Sequence, residues 1–332
     1  MCGAWRCIFQ VVETTISKEK SSTVISPTNA TSKDTKSLRS HFDIVLSDSA
    51  TIILAYDIIR LEEKLIVEEF RKRGIEPKLL NVTAYPLHFS NGFLRKANIA
   101  LIRPISMYRA FYTAVVLETN GVHTINNSET ILTCGDKILA YKKLLENKLP
   151  IPETVVAFTT DSALQAYNII GFPVIDKPPI GSWGRLVSLI ESSKEGILVA
   201  EHRENLPSTQ LKIHVVQEYV PTSNMDIRCL VVGDQVLGCI KRKATSGDWR
   251  SNVARGGKVE ALKLNEELME LSLKAAKAVR AEVLSVDILV HPEKGYLVNE
   301  VNGVPEFKGF MKATGINVPE KIVEYVVSKV KR

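Results

Sequence analysis

The sequence predicts an α/β (α+β) protein of three units behind an N-terminal tail, and three observations carry that prediction. From Thr51 to about residue 130, strand-like and helix-like segments alternate, which is the order of a small parallel sheet covered by helices. Two hairpin patterns then stand near the C-terminus, one turning at Gly233-Asp234 and one at His-Pro-Glu-Lys-Gly (291–295). Between these regions, a cluster of short apolar strands surrounds a loop flanked by Gly181 and Gly184.

Residues 13–42 are rich in Ser, Thr and Lys with little apolar periodicity, so they cannot bury enough surface to offset their ordering entropy. Residues 1–50 are therefore read as a tail outside the fold, either a disordered extension or a mis-assigned start. TIILAY (51–56) reads as a buried strand and LEEKLIVEEFRKRG (61–74) as an amphipathic helix closed by Gly74. KLLNV (78–82) and ANIALIRPI (97–105) read as strands, MYRAFYTAVVLETNG (107–121) as a helix and VHTIN (122–126) as a strand, completing a first unit over 51–130. A helical stretch follows to residue 149, then strand TVVAF (154–158), a helix near 161–170 and strands PVIDKP (173–178) and RLVSLIE (185–191), giving a second unit over 131–211. The third unit, 212–332, begins with IHVVQEYV and contains the first hairpin, a helix over 265–283, the second hairpin and a closing helix. No repeat of solenoid period is visible.

An apolar content of 45% and a charged content of 24% are those of an ordinary globular protein. No apolar run approaches the ~20 residues that span a bilayer, and the first residues are too weakly basic for a signal peptide, so no membrane role and a cytoplasmic location are expected. The five cysteines are scattered without C-x-x-C spacing, so neither a disulfide framework nor a zinc site is expected, and Cys229 and Cys239 read as small core residues. The formal charge of +6 favours acidic partners but is too small to argue for nucleic acid.

The densest chemistry lies in the second hairpin, SVDILVHPEKGYLVNEVN (285–302). Its turn places Asp287 roughly opposite Glu300, and strand alternation points Glu300 and Asn302 the same way. Carboxylates on an apolar sheet need a proton, a cation or water, and an oxygen-only set suits Mg²⁺ beside phosphates. A polar hairpin edge facing solvent is the competing reading. In VIDKPPIGSWGRLV (174–187), Lys177 ends an apolar strand before a glycine-flanked loop whose backbone N–H groups could converge on a phosphate. The alternative is a turn with an exposed lysine, and no Walker A sequence is present. QEYV (217–220) ends a strand as an adenine-edge segment would. Residues 225–257 gather Arg228, Lys241, Arg242, Lys243, Arg250 and Arg255 around Asn252 and a Gly-Gly pair, which favours an anionic ligand over a merely solvated face. Asp226 and Arg228, two apart on one strand, share a face and are candidates to pair.

Together with CGDK (134–137), DIRCLVVGD (226–234) and WRSNVARGGK (249–258), these segments resemble the ATP-grasp ligases of the RimK type, over about Thr51 to Arg332. Within that family the chain looks most like the group that loads amino acids onto a small acidic LysW-type carrier protein in lysine and arginine biosynthesis. The resemblance implies an ATP-grasp fold of three subdomains with the nucleotide between the central and C-terminal units. It implies that Lys137 and Lys177 contact ATP phosphates. Gly181, Ser182, Trp183, Gly184, Arg185, Leu186 and Val187 would cover them, and Gln217, Glu218, Tyr219 and Val220 would form the adenine hinge. Arg242, Asn252, Val253 and Ala254 would contact nucleotide or substrate, with Arg242, Lys177 and Asn252 as the catalytic set, and Asp287, Glu300 and Asn302 would hold two Mg²⁺ ions.

In the carrier-protein ligases, the dipeptide after E-F-K differs with the amino acid used; here it is Gly309-Phe310, which points to glutamate. A phenyl in place of a small residue would shorten the pocket by about one methylene, a difference worth ~1–3 kcal/mol. The expected reaction is thus ligation of glutamate's α-amine to the terminal glutamate side chain of a LysW-like carrier. The alternatives are an α-aminoadipate or bifunctional ligase, a RimK-like ligase of a ribosomal protein or peptide, and a non-catalytic nucleotide binder. A homo-oligomer, dimer or tetramer, is expected from the family, and Arg228, Arg250 and Arg255 are the candidate carrier surface.

Overall fold

The computed structural model describes residues 51–90, 97–181, 184–244 and 258–330. The tail, Ser182, Trp183, and the segment holding Arg250, Asn252, Val253, Ala254 and Arg255 lie outside the described residues.

Strands β1 (Thr51–Tyr56), β2 (Lys78–Asn81), β3 (Ala97–Ile102) and β4 (His123–Ile125) form a parallel sheet in the order β2-β1-β3-β4. β1 is apolar throughout because both of its faces are covered. Ile52 and Leu54 pack with Ile66 and Phe70 of α1 (Leu61–Lys72), while Ile53 and Ala55 pack with Ala110, Ala114 and Leu117 of α2 (Met107–Thr119). The stretch after β4 is two helices, α3 (Ser128–Gly135) and α4 (Lys137–Glu146), separated at Asp136. Asp136 starts α4 by accepting bonds from the backbone N–H of Ile138 and Leu139 at 2.8 and 3.2 Å, satisfying two of the orphan donors of the first turn.

The second sheet is antiparallel: β5 (Thr154–Ala157), β6 (Val174–Lys177), β7 (Ser188–Ile190) and β8 (His214–Glu218), in the order β5-β8-β6-β7. The sequence reading put the strand at 214–218 into the third unit; the structure places it at the centre of the second, because β5 and β6 both pair with it. Val174 and Val216 face Ala163 and Tyr167 of α5 (Thr160–Ile170) and Ala200 of α6 (Ser193–Glu204). Helix α6 was not anticipated, since SKEGILVAEHRE bunches its apolar residues and carries a glycine mid-helix. Gly196 is needed there: a Cβ would stand 2.8 Å from the Tyr167 ring. A short helix, α7 (Thr209–Lys212), leads into β8.

The third sheet, β9 (Met225–Val232), β10 (Gln235–Lys243), β11 (Lys258–Leu262), β12 (Val283–His291) and β13 (Gly295–Asn302), runs β11-β10-β9-β12-β13. One face packs on Leu268, Leu271 and Ala275 of α8 (Glu266–Ala278) and on Tyr141 and Leu144 of α4. On the other, Leu230, Val232 and Ile240 share a core with α1, α9 (Lys308–Thr314) and α10 (Val318–Val330), which joins the first and third sheets. Among the described residues no helix is long and apolar enough to cross a membrane.

One expectation about the cysteines is overturned: Cys229 and Cys239 form a disulfide. Tight pairing outward from Gly233-Asp234 would set Cys229 opposite Gly238, but the register shifts between Val236 and Gly238 and brings Cys239 opposite Cys229. That bulge could not be read from spacing. Closing a loop of sequence separation 10 contributes on the order of 2–3 kcal/mol.

Candidate active site

Between the second and third sheets lies an open cleft. Alternation builds its walls: in β6, Val174 and Asp176 turn back toward the helices while Ile175 and Lys177 face the cleft. Gln217 does the same in β8, and Leu289 of β12 supplies an apolar wall from the third sheet.

Lys177 is 5% exposed, not the solvent-facing lysine that the sequence allowed. Its ammonium donates to Gln217 Oε1 at 2.7 Å and Asn299 Oδ1 at 3.2 Å, and lies 5.6 Å from the centroid of the Tyr141 ring. Burial lowers its pKa to about 8, against the opposing pull of the Glu300 charge. Gln217 is fixed in turn, donating to the Tyr141 hydroxyl and Thr154 Oγ1, and Tyr141 donates to the Asn299 carbonyl at 2.8 Å. The lysine is thus held by a closed ring of hydrogen bonds. Lys137, at the first turn of α4, donates from Nζ to the Gly181 carbonyl at 3.1 Å and stands 3.8 Å from Glu300 Oε1. Its backbone N–H donates to the Pro179 carbonyl, so helix start and glycine loop are tied at two points.

Asp287 pairs with Glu300 across β12 and β13, as the hairpin reading expects. A bulge follows, because Ile288 pairs with Val298, which leaves Asn299 as the extra residue. Simple alternation would hide Asn299 behind the sheet; the bulge turns both Asn299 and Glu300 into the cleft. Asn302 does not line the cleft. Its amide nitrogen is buried without a partner, as is the Ser285 hydroxyl opposite it.

Asp226 and Arg228 do not pair with each other. Each finds its partner across the sheet: Arg242 donates to both Asp226 oxygens at 2.6 and 2.5 Å, and Arg228 to both Asp287 oxygens at 2.7 Å. An Arg242–Asp287 contact of 2.9 Å links the two pairs, so charges alternate along Asp226, Arg242, Asp287 and Arg228. Both forks are bidentate, the strongest geometry for such pairs. The low value of pairs in water does not apply here, because Arg242 and Asp287 are each 3% exposed. Burial opposes ionisation of Asp287, yet the two guanidiniums outweigh it and hold the carboxyl well below the usual range. Burial likewise works against Arg242, and the Asp287 and Asp226 charges hold it above its usual value. Arg228 is accordingly engaged with Asp287, its side chain 20% exposed.

The remaining expected residues divide. Gly181, Gly184, Arg185, Val187, Glu218, Tyr219 and Val220 line the cleft. Leu186 does not, and its carbonyl accepts from Arg203 at 3.4 Å. The Glu218 carboxylate serves the rim, accepting from the Glu153 N–H and from Lys294 Nζ. Phe310 is 2% exposed and belongs to the core, its ring 3.4 Å from where a Cβ on Gly238 would stand, while Gly309 is partly buried beside it. Neither lines the cleft. Tyr141, Asn299 and Asp226 were missed as site residues, since only tertiary pairing brings them there.

The model of the RimK-like ATP-grasp domain matches residues 134–326, which carry the cleft and both of its sheets. The chain belongs to the RimK-like ATP-grasp family. A LysX preATP-grasp domain matches residues 52–133, the parallel sheet and its connections. Over 275 residues the chain is 50% identical to glutamate–LysW ligase ArgX of Sulfurisphaera tokodaii, covering 83% of this chain and 97% of that protein. It is 33% identical over 282 residues to the α-aminoadipate–LysW ligase LysX of the same organism, covering 83% and 98%. Among solved structures, the RimK domain ATP-grasp protein of Sphaerobacter thermophilus shares the fold with a TM-score of 0.68 at 23% identity, covering 84% of this chain and all (100%) of that one. The ATP-grasp ligase PsnB, solved in complex with a variant precursor, Mg and ADP, shares the fold with a TM-score of 0.64 at 16% identity, covering 85% of this chain and 99% of that one.

Proposed function

We propose that this protein ligates the α-amine of glutamate to the side-chain carboxylate of the C-terminal glutamate of a LysW-type carrier, at the expense of ATP, in arginine biosynthesis. The observation that carries the reading is the gap between 50% identity to a glutamate–LysW ligase and 33% to an α-aminoadipate–LysW ligase, both nearly full-length matches.

The carrier carboxylate attacks the γ-phosphoryl group, forming an acyl phosphate as the bond to ADP breaks. The glutamate amine then attacks the acyl carbon, a C–N bond forms, and phosphate leaves as the amine loses a proton. Lys177, Lys137 and Arg242 hold the negative charge that moves through these steps, with Asn252, Val253 and Ala254 as further contacts. Gly181 to Val187 keep water from the acyl phosphate, and Gln217 to Val220 border the adenine.

Two members of the donor set suit magnesium: Asp287 is kept ionised and Glu300 opens on the cleft, and Asn302 would complete the set as in the family pattern. Asp287 accepts three guanidinium bonds, leaving one acceptor position for a metal. Asp287, Glu300 and Asn302 would hold the two Mg²⁺ ions expected from the family, which would supply positive charge against the phosphates. The choice of glutamate does not rest on Phe310, whose ring is buried in the core away from the cleft wall and so does not shorten the pocket there.

The test is the mass of a LysW-like carrier after incubation with enzyme, Mg-ATP and either amino acid. A gain of one glutamyl residue supports the proposal; a gain only with α-aminoadipate overturns the choice of substrate, and modification only of a ribosomal C-terminus moves the chain to RimK-like activity. Lys177 gives a pH signature. Its pKa of about 8 should rise when phosphates arrive, so nucleotide binding near pH 8 takes up protons, and ATP affinity falls as pH climbs through the free-enzyme value. Calorimetry in buffers of different ionisation enthalpy reads this; heats independent of buffer would refute it.

A further inference from the structure

Behind Lys177, on the opposite face of β6, four polar side chains meet in the interior of the second sheet. Asp176 is 0% exposed and accepts from Tyr167 Oη at 2.7 Å, Arg203 NH1 at 2.7 Å and the His214 ring at 2.7 Å. Arg203, 2% exposed on α6, also reaches the Ile213 carbonyl at 3.2 Å with the same nitrogen. Its other terminal nitrogen donates to the Leu186 carbonyl at 3.4 Å. Leu186 has a φ of +56°, a backbone state that a leucine does not choose unaided.

A buried carboxylate with this many partners is costly to assemble, and an apolar core would often serve stability as well. What an apolar core could not do is hold a loop carbonyl in place. The rigid guanidinium fork spans from Asp176, the neighbour of Lys177, to the loop that follows Gly184.

We propose that Arg203 is a positioning residue: its fork fixes the Gly184–Val187 backbone relative to Lys177, so that loop and lysine address the nucleotide phosphates as one unit. The inference rests on the reading of this loop as the phosphate cover, and it touches no substrate itself. An ammonium at this position keeps the charge beside Asp176 but has no second prong for Leu186.

Arg203→Lys is therefore the diagnostic variant, with Tyr167→Phe as the control that loosens Asp176 without touching the loop. In Arg203→Lys, kcat/KM for ATP should fall roughly 10–100-fold, mainly through KM, and more phosphate should be released per carrier modified. A readout independent of the ligation reaction is tryptic cleavage after Arg185, which is exposed, followed by fragment mass. That cleavage should accelerate in Arg203→Lys and not in Tyr167→Phe. Equal cleavage and equal KM in Arg203→Lys and wild type would overturn the proposal, as would the same changes in both variants, which would mark a general loss of stability. If carrier ligation is absent in wild type but the cleavage difference persists, the positioning role stands and the substrate assignment fails.

Discussion

Asp287→Asn should strongly impair ligation and also lower the unfolding free energy by about 3–5 kcal/mol, while Glu300→Gln should slow ligation at little cost in stability. The two carboxylates face each other in register, so they separate structural from chemical work. Asp287 sits between two guanidiniums, Arg228 at 2.7 Å and Arg242 at 2.9 Å. Removing its charge leaves Arg228 without its carboxylate partner and the buried Arg242 with Asp226 alone, an uncompensated positive charge in a largely desolvated place. Among the described residues Glu300 pairs with Lys137 at 3.8 Å and its side chain is 30% exposed, so the loss of that pair should change stability by less than ~1 kcal/mol. Its expected effect lies in kcat, a drop on the order of 10²–10³-fold. Urea unfolding and steady-state rates read both. An Asp287→Asn protein as stable as wild type would show that the charge lattice contributes nothing; an active Glu300→Gln would remove it from the metal set. The depressed pKa of Asp287 gives a further sign: its stabilisation is present above the ordinary carboxyl range and is lost as pH falls through the folded value.

Asn126→Ala should be nearly as damaging, by about 3–5 kcal/mol, because four backbone groups, all buried or partly buried, lose their partner together. Asn126 is 1% exposed just after β4. Its nitrogen donates to the carbonyls of Val283 and Gly303, each at 2.6 Å, and its oxygen accepts from the N–H groups of Glu282 and Val283 at 2.7 and 3.0 Å. One amide thus fills its capacity while tying the parallel sheet to the start of β12 and the end of β13. Asn126→Asp separates the two halves: it keeps an acceptor for both N–H groups but faces two carbonyls with oxygen, so it too should destabilise. A loss below ~1 kcal/mol in both variants, measured by urea unfolding, would mean that water replaces the amide.

Much of the site was legible. The two-residue period and the Pro-Glu-Lys turn sufficed to set Asp287 opposite Glu300, and the same period set Lys177 beside the glycine loop. Less of the pairing was legible. The bulges at Leu237 and Asn299 leave no mark in composition, yet one creates the Cys229–Cys239 bond and the other carries Asn299 to Lys177. Asp226 and Arg228 looked like partners because strand spacing gives their shared face; it does not give the neighbouring strands, where better-placed forks wait.

The sequence by itself determined many of the strands and helices around the cleft, where the hairpins turn, and that Lys177, Glu300 and Asp287 share the cleft. These are set by residues a few positions apart, through alternation and turn chemistry. Only the tertiary structure decided that β8 joins the second sheet, that Arg228 and Arg242 lock onto Asp287, and that Phe310 enters the core. Those outcomes depend on which distant strand lies alongside and on where its register slips, and no local pattern encodes either.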